Sequence, residues 1–61
     1  MILKDALIQY RSNKVWTQER MANEIGISLC TYVNIENGKE ASMLTKAKIA
    51  NFLGVDISDL K

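Results

Sequence analysis

The stretch TQERMANEIGISLCTYVNIENG, residues 17–38, decides how the chain folds. Thr17 is a good N-cap and Glu19 in the first turn suits the positive end of a helix dipole, although Arg20 stands where a capping-box glutamate would be. Met21, Ala22 and Ile25 recur at helical spacing, and Gly26 falls where a left-handed residue would end the helix. Ser28 then caps a second short helix with Tyr32 and Ile35 on its inner side, stopped by Asn37-Gly38. Two helices that cross at roughly 90–120° through a three- or four-residue turn need a small side chain at the crossing and a permissive residue in the turn. Ala22 and Gly26 meet both needs. Met21, Ile25, Ile27, Tyr32 and Ile35 make the apolar set that ties the pair together, which predicts that Leu29, Cys30, Val33 and Asn34 face solvent.

Outward from this unit the pattern stays helical. Leu3, Leu7 and Tyr10, with Ala6 beside them, predict an amphipathic helix over about residues 2–12, its end frayed at Ser12-Asn13. Ser42 caps a further helix in which Met43, Ala47, Ala50 and Leu53 form the expected inner stripe before Gly54. Ser58 can start a terminal turn that tucks Leu60 against the core, and Trp16 closes the core between the first two helices. Nothing alternates with period two over a useful length. The expected class is all-α, a single domain over residues 1–61 made as a compact bundle of four helices and a closing turn, a four-to-five-helix bundle with the helix-turn-helix unit 17–38 at its centre.

Composition narrows the function. The chain is 48% hydrophobic and 25% charged, a globular balance, and no apolar run approaches the roughly 18 residues a membrane span needs. Lys4 and Asp5 interrupt what would be the apolar region of a signal peptide, so a cytoplasmic location is expected. Cys30 is the single cysteine and histidine is absent, which removes an internal disulfide, the usual general base and the usual nitrogen ligand for zinc. With no paired-carboxylate pocket, phosphate-binding glycine loop or metal-ligand cluster in the sequence, the reading is not an enzyme, and no cofactor, metal or small-molecule ligand is expected. The net charge is only +1, but Asp56 and Asp59 sit near the C-terminus while Arg11, Lys14, Arg20, Lys39, Lys46 and Lys48 lie in the middle, so a local basic face is available.

Four short words stand in a telling order: Trp16-Thr17-Gln18-Glu19, Ile25-Gly26-Ile27-Ser28, Ile35-Glu36-Asn37-Gly38-Lys39 and Phe52-Leu53-Gly54-Val55. Together they resemble the helix-turn-helix proteins of the phage Cro and repressor type, the XRE family, over nearly the whole chain. The resemblance implies a sequence-specific transcriptional regulator, a Cro-like repressor, bacterial or phage-encoded, whose third helix enters the major groove of double-stranded DNA. It assigns phosphate contact to Gln18 and Asn37, with Thr17 and Lys39 beside them, and these position the protein without reading sequence. It assigns base contact to Leu29, Cys30, Val33 and Asn34, and a structural ion pair to Arg11 and Glu36.

Three of those four recognition positions are apolar or nearly so, where the family usually carries Gln, Arg, Ser or Asn. Asn34 can bond an adenine edge and Leu29, Cys30 or Val33 can meet thymine methyl groups, which predicts an A/T-rich site. Glu40 and Ala41 also stand where lysine or arginine is frequent, leaving Lys39 to meet phosphate. If the helix capped by Ser42 buries Met43, Ala47, Ala50 and Leu53, its period points Phe52 partly away from that stripe. Family members commonly dimerise through this end of the domain, so Phe52, Val55 and Ile57 form the expected surface of a weak homodimer that spans a short pseudo-palindrome. The competing reading is a protein-interaction module of antirepressor or antitoxin-like kind, binding a partner through the apolar third-helix face.

Overall fold

The computed structural model describes residues 2–60. Four α-helices follow one another, α1 (Leu3–Lys14), α2 (Gln18–Ile25), α3 (Leu29–Glu36) and α4 (Met43–Leu53), and a 3-10 turn at Ile57–Asp59 closes the chain; there is no strand among the described residues. The all-α class read from the sequence is the one observed.

Capping accounts for three of the helix starts. Thr17 Oγ1 accepts the Arg20 backbone N–H at 3.0 Å, Ser28 Oγ accepts that of Thr31 at 3.2 Å, and Ser42 Oγ accepts that of Thr45 at 3.3 Å. Each bond satisfies a donor that has no carbonyl to bond within its own helix. Gly26 ends α2 at φ +92°, and its N–H and that of Ile27 both return to the Ala22 carbonyl. A Cβ at Gly26 would meet no atom within 4 Å, so glycine is required there for its backbone conformation and not for space.

The end of α1 departs from expectation. Ser12-Asn13 do not fray; the helix runs on to Lys14 and stops because Val15 takes a left-handed conformation, φ +57° and ψ +41°. The Trp16 N–H reaches back to the Arg11 carbonyl at 3.0 Å, a closure usually made over glycine. Val15 is 90% exposed, so packing does not repay the strain of placing a β-branched residue there.

The core is Leu3 and Leu7 from α1, Met21, Ala22 and Ile25 from α2, Tyr32 and Ile35 from α3, Ile49 and Ala50 from α4, and Leu60 after the final turn. Helix α3 lies against both α1 and α2, and α4 lies against α2 and the final turn. Burial of Leu60 matches the terminal tuck read from the sequence. On α4 the expected stripe has the right period and the wrong phase. Met43 and Ala47 are exposed, and Ile49, absent from that stripe, is fully buried. Ala50 and Leu53 belong to two overlapping helical rows, one through Met43 and Ala47 and one through Lys46 and Ile49. Contact with α2 and the final turn selects the second.

Candidate nucleic-acid interface

The geometry of α3 follows from what its inner side must do. Tyr32 and Ile35 are buried three residues apart, which points Leu29 and Cys30 outward at the start of the helix; Leu29 is 43% exposed and Cys30 is exposed. Val33 and Asn34 are half-buried, so the face expected to be wholly in solvent is open chiefly in its first turn. Burial at the flanks of Tyr32 and Ile35 explains the difference, because a helix of eight residues packed against two neighbours keeps little free circumference. Asn34 Nδ2 points toward Cys30 Sγ at 3.9 Å, a weak bond that a better acceptor would displace.

The residues expected at phosphates sit at helix ends. Thr17 Oγ1 is engaged as the α2 cap. Gln18, the first residue of α2, is half-buried, and its Nε2 donates to Glu36 Oε1 at 3.1 Å. Asn37 and Lys39 are exposed in the loop after α3, which folds back on the helix: the Gly38 N–H bonds the Ile35 carbonyl and the Lys39 N–H bonds that of Asn34, each at 3.0 Å. Lys39 and Asn34 thereby share a shallow cleft with Thr31, Ser42 and Thr45. Those three hydroxyls were not among the expected contacts. Their sequence signal was ambiguous, since Ser42 and Thr45 also explain themselves as a helix cap with its partner.

Beneath this surface the structure brings Arg11 and Glu36 together across 25 residues of sequence. Arg11 Nε donates to Glu36 Oε2 at 2.8 Å and Nη2 donates to Oε1 at 3.3 Å, while Nη1 reaches the Trp16 carbonyl at 3.3 Å. The Glu36 side chain is 7% exposed. Burial alone would push its carboxyl up, but the Tyr32 hydroxyl, the Arg11 guanidinium and the Gln18 amide together hold it below the usual carboxylate value. The bond to Glu36 raises Arg11 further, against the opposing effect of burial. Tyr32 is raised strongly, first by burial and then by the carboxylate. Its hydroxyl faces Glu36 without reaching a well-aligned hydrogen bond, and among the described residues it is the buried side-chain polar atom left without a well-formed partner.

Phe52 corrects an expectation. It does not point away from the inside of α4: its ring meets Tyr10 edge-on at 5.0 Å and lies 6.5 Å from Trp16, and Tyr10 and Trp16 meet at 5.9 Å. Trp16 thus closes a cluster reaching from α1 to the end of α4, beyond the α1–α2 gap expected for it. Val55 and Ile57 are half-buried against the core. The period of α4 could not reveal this, because Phe52 is drawn in by aromatic partners far away in sequence. The large exposed hydrophobics among the described residues are Ile2, Val15, Leu29, Met43 and Leu44.

Among the described residues no three His, Cys, Asp or Glu side chains are grouped to hold a metal ion, and no helix is long and apolar enough to cross a membrane. A family model described as a helix-turn-helix domain matches residues 6–61. The chain is 41% identical over 59 residues to an uncharacterised HTH-type transcriptional regulator of Methanocaldococcus jannaschii, a match covering 95% of this chain and 89% of that protein. No solved structure gives a significant match.

Proposed function

The chain belongs to the helix-turn-helix domain family of the Cro/repressor type, and from that premise we propose that it is a DNA-binding transcriptional regulator, a Cro-like repressor that reads a short operator with the first turn of α3. The observation that supports this reading is the placement of α3: its inner side is locked by fully buried Tyr32 and Ile35, and Leu29 and Cys30 project at its start. A rigid helix presenting its N-terminal residues is the arrangement that inserts into a major groove.

Phosphate contact belongs to Thr17, Gln18, Asn37 and Lys39, which flank α3 at the start of α2 and in the loop that follows. Base contact belongs to Leu29, Cys30, Val33 and Asn34, with Asn34 giving up its weak bond to Cys30 for an adenine edge and the apolar members meeting thymine methyls. Pairing of two copies, needed to place two such helices about 34 Å apart on a pseudo-palindrome, is assigned to the C-terminal end through half-exposed Val55 and Ile57.

Salt-titrated binding to random duplex, followed by selection of preferred sequences, tests the reading. Selection is expected to return a short A/T-containing pseudo-palindrome. Lys39→Ala should weaken binding to all sequences and reduce the salt slope by about one, whereas Asn34→Ala should relax preference at one position at a cost of about 1–3 kcal/mol. An unchanged preference in Asn34→Ala removes that residue from base recognition. Failure to bind DNA at low salt favours the second reading, a protein-interaction module, which draws its support from the exposed apolar start of α3 at Leu29.

A further inference from the structure

We infer that Glu36 is a positioning residue for the DNA interface: through a hydrogen bond at the base of α2 it holds the Gln18 amide in one orientation before DNA arrives. The inference rests on the assignment of Gln18 to a DNA phosphate. Glu36 closes α3, Gln18 opens α2, and neither neighbours the other in sequence. Glu36 Oε1 accepts from both Gln18 Nε2, at 3.1 Å, and Arg11 Nη2, at 3.3 Å, and Oε2 takes the shortest of the three bonds from Arg11 Nε. The carboxylate is therefore clamped by α1 through both oxygens, and Oε1 has a second lone pair for α2.

The sign of that oxygen decides how the amide sits. An ionised carboxylate is acceptor-only, so it can face the NH2 end of Gln18 and not its carbonyl end. The Arg11 and Gln18 donors, with the Tyr32 hydroxyl facing it, keep it ionised. With one amide hydrogen spent on Glu36, the second hydrogen on Nε2 remains for an anion outside. A phosphate oxygen is also acceptor-only and needs that same NH2 end, so the buried carboxylate presets the orientation a phosphate requires. A glutamine fixed in advance loses less rotamer freedom on binding than a free one. The same carboxylate grips Arg11, whose Nη1 bonds the Trp16 carbonyl, so the backbone entering α2 is held by the same hub. The ion pair, which alone would be a matter of stability, thereby also sets the geometry of contact.

The test uses the whole chain and two independent readouts. In the DNA-free protein, side-chain amide relaxation measured by nitrogen-15 NMR should show Gln18 nearly as rigid as the helix backbone, with exposed Gln9 as the mobile internal reference. Equal mobility of the two glutamines overturns the inference without any variant being made. In duplex binding, Gln18→Ala should weaken affinity roughly fivefold at unchanged salt slope, since glutamine carries no charge. Glu36→Gln, studied below its melting temperature, can present either an oxygen or an NH2 end and so should leave the Gln18 amide without a fixed orientation, and Gln18→Ala made in that background should weaken binding by less than twofold. Full additivity of the two substitutions overturns the inference while leaving Gln18 as a phosphate ligand. A Gln18→Ala protein with wild-type affinity instead removes the phosphate contact itself, and the inference falls with it. If Glu36→Gln does not fold, Glu36→Asp, which keeps the charge and shortens the reach to Gln18, carries the same comparison.

Discussion

Replacing Val15 by glycine should stabilise the protein without touching the proposed DNA-binding residues. Val15 holds φ +57° at the C-terminal end of α1, a conformation that costs an L-residue about 1–2 kcal/mol and is least suited to a β-branched side chain. The valine side chain returns little, because the residue is 90% exposed. Glycine relieves the strain and gives back about 0.5–1 kcal/mol through its greater freedom in the unfolded chain. The net gain is about 0.5–1 kcal/mol, which for a domain of this size is a rise in Tm of roughly 2–8 °C. Thermal unfolding followed by far-ultraviolet circular dichroism reads it directly. Val15→Asn, which tolerates the left-handed region better than valine but keeps a Cβ, should fall between the two proteins. A Tm for Val15→Gly at or below that of the parent would refute the argument: Val15 would then not be left-handed in solution, and α1 would end elsewhere.

Arg11→Met should cost about 2 kcal/mol at neutral pH, less than for a wholly buried pair because the Arg11 side chain is 26% exposed, and urea unfolding at two pH values measures it. Glu36 is depressed in the folded state, so its contribution is complete above the ordinary carboxylate value and is lost as pH falls through its lowered folded value; the penalty of Arg11→Met should shrink across that acid window, and a constant penalty would exclude Glu36 as the source. Tyr32→Phe removes the buried hydroxyl that faces Glu36 and helps hold its carboxylate ionised, which offsets the relief of removing a polar atom without a well-formed partner, and should change stability by less than about 1 kcal/mol. A loss of more than about 1 kcal/mol would mean that this hydroxyl donates to Glu36 in solution. Phe52→Ala should destabilise the isolated chain by about 2 kcal/mol, with no need for a second copy, since its ring packs on Tyr10 within the same chain; a protein that loses association and keeps its Tm would return Phe52 to the surface.

Much of the fold is legible because it depends on local chemistry. Thr17, Ser28 and Ser42 announce three helix starts through a bond that spans only three residues, and Gly26 and Gly54 announce ends through backbone conformation. The Ala22–Gly26 corner, with Tyr32 and Ile35 beneath α3, was readable for the same reason. Val15 was not, because nothing in a valine signals φ > 0, and the run Ser12-Asn13 looks like a better stop than it is.

For the site, sequence placed residues on helix ends and faces and could go no further. Gln18 and Glu36 both stood out, but that one holds the other follows only when α2 and α3 cross and bring position 18 to position 36. Phe52, assigned to the surface by the period of α4, is taken inward by Tyr10 and Trp16, which a helical wheel cannot contain.

The all-α class, the capped starts of α2, α3 and α4, the turn at Gly26 and the outward start of α3 are written in residues close along the chain. The phase of α4, the aromatic cluster and the network around Glu36 emerge only on folding. Range separates the two groups: caps and turns are closed by bonds between near neighbours, whereas the buried face of a helix and the partners of a buried charge are chosen by elements that meet only after the chain has folded.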